Sequence, residues 1–336
     1  MKIKKLWVLL LSAYLGLGTL VAQDFNTLME RAQKGDAQAQ SNLGLIYDNG
    51  EGVPQDYAQA MKWYRLAADQ GYASAQYNLA VMYQYGQGVP KDYVQAAKWY
   101  RLAANQGDAD AQFSLGVKYY SGRGVPKDFG KAAKWVRLAA DQGLASAQFL
   151  LSLMYGNGEG VPKDYVQMYK WNRLAADQGV LMAQMKLGNI YVTGAKDIGF
   201  QQDYTQAAKW FRLAAEQGNV DAQYNLGTMY SNGQGVPQDY AQAVKWLRLA
   251  AEQGDASAQN SLGLMYGKGE GVPEDYVQAH KWFNLAAAQG NANGATNRDI
   301  TAKLMTPQQI ERAQALARNW KPDEAQALAR NWKPKK

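Results

Sequence analysis

Apolar and polar positions follow two nested periods along this chain. The short one is helical. In Ala73–Tyr83 the apolar residues Ala75, Leu79, Met82 and Tyr83 fall on one face of an α-helix. In the next segment Tyr57, Ala60, Tyr64, Ala67 and Ala68 do the same for the preceding copy, with Trp63 at the border and Lys62 and Arg65 outside it. The long period is 36 residues. Trp63, Trp99, Trp135, Trp171, Trp210, Trp246 and Trp282 keep it, with one step of 39. A fixed period in this range marks stacked units that bury one another, not a single globular core.

Each unit reads as two helices, A and B, with stop and start signals between them. Helix A ends at Gly50, Gly86, Gly122, Gly158, Gly194, Gly233 or Gly269, where a left-handed cap suits glycine. A short loop follows, and Pro90 and its equivalents cannot continue a helix. Helix B starts at Asp56, Asp92, Asp128, Asp164, Asp203, Asp239 and Asp275. Six of these have Gln three residues later, the pattern of a reciprocal capping box. A small column, Gly44, Ala80, Gly116, Ser152, Gly188, Gly227 and Gly263, runs through helix A. Glycine inside a helix costs about 1 kcal/mol against alanine, so its recurrence calls for a close helix contact.

The pattern Ala75-x3-Leu79-(Gly/Ala)-x2-Tyr83-x2-Gly86-x-Gly88-Val89-Pro90-x-Asp92-Tyr93-x2-Ala96-x2-Trp99-x3-Ala103-Ala104-x2-Gly107 resembles the Sel-one-like repeat (SLR) family, relatives of the tetratricopeptide repeats. The resemblance implies an all-α fold, an α/α superhelical solenoid of seven helix-turn-helix repeats with terminal capping helices. It also implies a protein-interaction scaffold, often in signalling or assembly at bacterial envelopes, with no common catalytic chemistry. The repeats are expected at 36–71, 72–107, 108–143, 144–179, 180–218, 219–254 and 255–290. Residues 23–35 are expected to form an N-terminal capping helix and 291–322 C-terminal capping helices.

The ends add detail. Lys2, Lys4 and Lys5 precede an apolar run from Leu6 to Val21, followed by Ala22 and a polar turn at Gln23. Residues 1–22 therefore read as a secretory signal peptide, which places the mature chain in the periplasm or outside the cell. At the other end Ala313-Gln-Ala-Leu-Ala-Arg-Asn-Trp-Lys-Pro322 recurs at Ala325–Pro334, so 323–336 is a duplicated basic tail. It is either a slipped duplication or an amphipathic hook for a partner or an anionic surface.

Composition narrows the chemistry. The net charge of +7 is concentrated at the ends: the tail from Thr296 holds nine Lys/Arg against four Asp/Glu, which leaves the body close to neutral. That argues against a nucleic-acid-binding groove, which needs a basic stripe. Membrane contact is expected to be peripheral at most. Cysteine is absent and His280 is the single histidine, so neither a thiolate metal site nor a Cys–His pair can form, and no metal or cofactor is expected. His280 shares a column with Met61, Ala97, Ala133, Tyr169, Ala208 and Val244, a packing position. The Lys62 and Arg65 columns, balanced by acids four residues after the arginines, read as a solvated outer surface.

No catalytic residue is expected. The candidate binding surface is a helix A column, Tyr77, Phe113, Phe149, Met185 and Tyr224, two residues before the core leucine. On the concave side of a solenoid it would take a protein or peptide partner. Packing between neighbouring repeats competes for the same side chains. A second candidate is the long loop of the fifth repeat, with Lys196, Ile198 and Phe200, unless Phe200 merely fills the valine pocket of the other loops. Two other classes stay open. One is a hydrolase of the β-lactamase-like kind proposed for cysteine-rich SLR relatives. The other is a membrane or cell-wall binder acting through the tail.

Overall fold

The computed structural model describes residues 25–194, 199 and 201–321. The signal segment 1–22, the tail 323–336 and the loop residues Lys196, Ile198 and Phe200 lie outside the described residues. Those described form seventeen helices and no strand. Helix α1 covers 25–33. Helices α2 (Ala37–Asn49) and α3 (Tyr57–Asp69) are helices A and B of repeat 1. Repeat 2 is α4 (Ala73–Tyr85) and α5 (Tyr93–Asn105), and repeat 3 is α6 (Ala109–Ser121) and α7 (Phe129–Asp141). Repeat 4 is α8 (Ala145–Asn157) and α9 (Tyr165–Asp177), and repeat 5 is α10 (Leu181–Thr193) and α11 (Tyr204–Glu216). Repeat 6 is α12 (Val220–Asn232) and α13 (Tyr240–Glu252), and repeat 7 is α14 (Ala256–Lys268) and α15 (Tyr276–Ala288). Helices α16 (Ala292–Ala302) and α17 (Pro307–Arg318) follow. The chain divides into two compact units, one ending at Trp171 and one starting at Asn172.

The small column has the packing reason its cost demands. A Cβ on Gly116 would sit 2.6 Å from Cγ2 of Val136, and one on Gly263 would sit 2.6 Å from the Phe283 ring. Helix A thus lies directly against the bulky residue of its own helix B. The loop glycines divide the labour. Gly86, at φ 75°, ends α4 and donates its N–H to Met82 O. Gly88, at φ 70°, leaves no room for a Cβ, which would lie 2.6 Å from the Tyr57 carbonyl oxygen of the preceding repeat.

Only half of the expected capping box forms at the B helices. The Asp56 carboxylate accepts from the N–H groups of Ala58 and Gln59, at 2.9 and 3.0 Å. The Asp56 N–H, which a box would offer to Gln59, instead donates to Tyr47 O at 2.9 Å. The same bond joins Asp92 to Tyr83 and Asp239 to Tyr230, so the loop closes on helix A. A complete box appears at α17, between Thr306 and Gln309.

The repeat tryptophans other than the half-buried Trp135 are buried rather than marginal. Trp63, Trp99, Trp171, Trp210, Trp246 and Trp282 are 4–8% exposed. Trp246 joins a core cluster made otherwise of repeats 5 and 6, including Phe211 and Leu226. Each such indole seals a repeat against the one before it, and apolar contact of this size dominates the energetics of an interface.

A polar ladder runs through the same core. Gln40, Gln76, Gln112, Gln148, Gln184, Gln223 and Gln259 are at most 5% exposed. The Gln76 amide donates to Ala68 O of the preceding helix B at 3.1 Å, and its Oε1 accepts from Gln106 Nε2 at 2.8 Å. Gln106 donates in addition to Gly71 O at 2.9 Å. Gln112 with Gln142 and Gln223 with Gln253 repeat the arrangement. Two amides per repeat thereby satisfy carbonyls at a helix end that would otherwise be buried without a partner.

The ends reuse this grammar. Helix α1 supplies Ala32, whose carbonyl accepts from Gln40 at 2.9 Å, in the place a preceding helix B would fill. Phe25, Leu28 and Met29 cover the cluster of Ala39, Leu43 and Trp63. At the far end α17 buries Ala313 and Ala317, and Trp320 meets Trp282 edge-to-face at 6.2 Å.

Candidate interaction surface

Helix A has one side left over once Ala, Gln, Leu and the small residue are buried at helical spacing. That side carries the sequence-predicted column. Tyr77, Phe113, Phe149 and Tyr224 are half-buried, and Met185 is buried. The first three belong to the N-terminal compact unit and the last two to the C-terminal one.

The column both packs and shows. The Tyr77 ring lies 5.7 Å from that of Tyr100 at 56°. Burial raises the pKa of its hydroxyl, and the charges of Asp110 and Asp108 on the next helix A push it further up. Met185 belongs to the core with Phe211 and Leu226, while Tyr224 packs on the cluster around Leu247 and Leu262. Tyr224 also lines a cavity of about 150 Å³ with Asn189, Val192, Phe211, Asn225 and Thr228.

Beside this column lie Val81, Val117 and Leu153, read from the sequence as sharing its side and competing through packing, and two residues left unweighted there, Leu45 and Tyr85. Tyr85 is 62% exposed and Leu45 is 45% exposed. Val81, Val117 and Leu153 are half-buried at the positions equivalent to Leu45. With Tyr77, Phe113 and Phe149 they form an apolar strip on the A helices of the N-terminal unit. In the C-terminal unit Asn189 and Thr228 take the equivalent places, followed by Leu264. A lone tyrosine where other repeats have Asn49, Ser121 and Asn157 was the available signal for Tyr85.

The arginine column is not the solvated stripe it resembled. Arg101 Nη2 donates to the Tyr119 hydroxyl at 2.7 Å, and Arg248 to that of Tyr266 at 2.7 Å. Arg65, Arg137 and Arg212 make the same bond to Tyr83, Tyr155 and Tyr230. The Arg65 guanidinium lies 5.2 Å from the Trp99 ring centroid, and that of Arg173 lies 4.8 Å from Trp210. An arginine of one repeat is therefore held by a tyrosine and a tryptophan of the next, a cation–π contact worth about 0.5–2 kcal/mol. The expected pairing four residues on occurs at Arg173–Asp177, 3.0 Å apart. Most of the lysine column stays outside, with Lys62, Lys98 and Lys245 exposed and each within 5.8 Å of its neighbouring tryptophan, whereas Lys281 is half-buried 4.1 Å from the Trp282 ring centroid and burial lowers its pKa.

His280 is 2% exposed inside α15. Burial lowers its pKa from 6.5, Arg298 lowers it further and Asp299 opposes. After the long fifth loop the ordinary geometry resumes: Asp203 donates its N–H to Tyr191 O at 2.9 Å and caps α11. Among the described residues no group of three or more His, Asp and Glu side chains could hold a metal ion, and no helix is long and apolar enough to cross a membrane.

The Sel1 repeat family matches residues 37–72, 73–108, 109–144, 145–180, 181–219, 220–255 and 256–291, and the chain belongs to that family. Its fold is that of a helical solenoid. A Sel1 repeat protein from Oxalobacter formigenes is 38% identical, over 83% of this chain and 80% of that one, with a TM-score of 0.62. A protective antigen of uropathogenic Escherichia coli with an SLR fold is 33% identical, over 94% of this chain and 83% of that one, with a TM-score of 0.45. No curated protein matches the chain. Solenoids of Sel1 repeats typically act in protein–protein interaction.

Proposed function

We propose that this chain is an exported, non-catalytic scaffold that holds a protein partner on the outward face of its A helices, with a role in envelope signalling or assembly. The observation that carries the reading is the apolar strip of Leu45, Val81, Val117 and Leu153 beside Tyr77, Phe113 and Phe149. Repeat 1 adds Leu45, and repeats 2, 3 and 4 each add one aliphatic and one aromatic position, as a helix or an extended segment laid across several repeats would require. Export rests on the leader-like residues 1–22 and places the partner in the periplasm or outside the cell. In the C-terminal unit Met185 and Tyr224 hold the equivalent column positions and would serve that unit's own A-helix face, and the fifth loop with Lys196, Ile198 and Phe200 would add a secondary contact.

The test is a pull-down from native envelope extract with three versions of the chain. One is unchanged. One carries Leu45→Asp with Val117→Asp. One carries Leu102→Asp on a B helix, where Leu102 is 39% exposed. A partner lost with the first pair and kept with Leu102→Asp supports the strip. A partner kept by the first pair and lost with Leu102→Asp moves the interaction to the B helices.

A further inference from the structure

Lys118 stands in a column that is otherwise methionine or isoleucine: Ile46, Met82, Met154, Ile190, Met229 and Met265. Those four methionines are 0–4% exposed, and Lys118 is 5% exposed. An ammonium placed there forfeits hydration that a thioether never had. Such a charge is normally paired when buried. Among the described residues no carboxylate lies within 4.0 Å of Lys118.

Its surroundings are cationic instead. The Lys118 ammonium lies 4.9 Å from the Tyr93 ring centroid, and the Lys91 ammonium lies 6.0 Å from the same ring. Burial lowers the Lys118 pKa, and the charge of Arg123 lowers it further. The acids at the starts of the two adjoining B helices are committed elsewhere. Asp92 accepts from the N–H groups of Val94 and Gln95 to cap α5. Asp128 caps α7 and pairs with Lys131 at 3.0 Å. The basicity is local to this seam, since the positions equivalent to Arg123 hold Glu51, Gln87, Glu159, Gln234 and Glu270 in the other repeats with a regular loop.

We propose that Lys118, Arg123 and Lys91 bind a phosphate group at the seam between repeats 2 and 3, with the Tyr93 ring holding the Lys118 ammonium in place. Three cations suit a dianion better than a single carboxylate, and a guanidinium fork matches two of its oxygens. The site is separate from the A-helix strip and does not depend on it.

Thermal unfolding in chloride and in inorganic phosphate, at equal ionic strength, tests the proposal. Wild-type chain is expected to melt roughly 2–4 °C higher at saturating phosphate. Lys118→Met is expected to melt above wild type in chloride, because it restores the column residue, and to lose the phosphate response. Arg123→Gln, at an exposed position, should keep the chloride melting point and lose at least half of the response. Equal phosphate responses in all three chains, or none in wild type, would overturn the site. So would a Lys118→Met chain that melts below wild type in chloride, which would make Lys118 a structural residue. A phosphoserine peptide active below the phosphate concentration needed would identify a phosphorylated protein as the source. One that is inactive would identify free phosphate.

Discussion

Residues 25–171 and residues 172–321 bury the same columns and turn different side chains outward. In the first unit the A-helix strip reads Leu45, Val81, Val117 and Leu153; in the second it reads Asn189, Thr228 and Leu264. One turn earlier, Asn78 and Ser114 in the first unit correspond to Lys186 and Asn225 in the second. Behind these faces the glutamine and leucine columns stay constant, and the methionine column departs at Lys118. Gln76, Leu79 and Met82 have buried equivalents at Gln223, Leu226 and Met229. Repeats that must pack on one another constrain the seam residues, whereas the outward residues meet only solvent or a partner. Divergence on the outward face is where specificity can be written without loss of stability.

The largest effects should fall on the shared skeleton and be equal in both units. Gly88→Ala and Gly271→Ala each force a Cβ against the backbone of the preceding helix B, at Tyr57 and Tyr240, from a residue with φ near 70°. Each is expected to cost about 3 kcal/mol or more, combining the left-handed penalty with overpacking, and urea unfolding measures it. A large loss in one unit alone would break the idea of a common skeleton. Next come Gln112→Leu and Gln223→Leu. Each strands a helix-end carbonyl in the core, at Ala104 or Ala215, and removes one acceptor from Gln142 or Gln253, for about 1–3 kcal/mol.

A smaller and pH-dependent effect belongs to the C-terminal unit. The folded-state pKa of His280 lies below its ordinary value of 6.5, so the native state disfavours the imidazolium. Its contribution to stability is complete above pH 6.5 and is lost as pH falls through the unfolded value toward the folded one. His280→Ala, which matches Ala97 and Ala208 in the same column, should flatten that part of the melting-temperature profile between pH 7 and pH 5. An unchanged slope would assign the acid sensitivity to other groups.

Smallest in stability is the outward face itself. Val117→Asp and Asn189→Asp, on the two contrasting strips, should each change stability by less than about 1 kcal/mol, as half-buried or exposed positions do. Binding of the proposed partner should fail with Val117→Asp and survive Asn189→Asp. Equal loss with both would extend the interaction over polar and apolar strips alike.

The period, the helices, the glycine stops and the aspartate starts were legible in the residues because each is a local event within one turn or one loop. The packing role of His280 could be read from its column neighbours. The glutamine ladder was not, since an amide next to alanines reads as surface until a carbonyl of another repeat is brought to it. The arginine column misled for a related reason. Arg65 and Asp69 are close in sequence and suggest a local ion pair, but the tyrosine that takes the guanidinium is Tyr83, eighteen residues on in the next repeat. The full capping box failed because Tyr47 O competes for the Asp56 N–H, a partner supplied only once helix A has folded back.

By itself the sequence determined the repeat, its two helices and the places where they begin and end, because hydrophobic period and cap chemistry act between neighbours along the chain. The tertiary structure decided which polar residues are core, which cations are staples, and that Lys118 is buried without a carboxylate. Those outcomes depend on atoms from different repeats reaching hydrogen-bonding and van der Waals distance. The same packing sets how much of Tyr77 is left to show, since its ring lies against that of Tyr100 on the following helix.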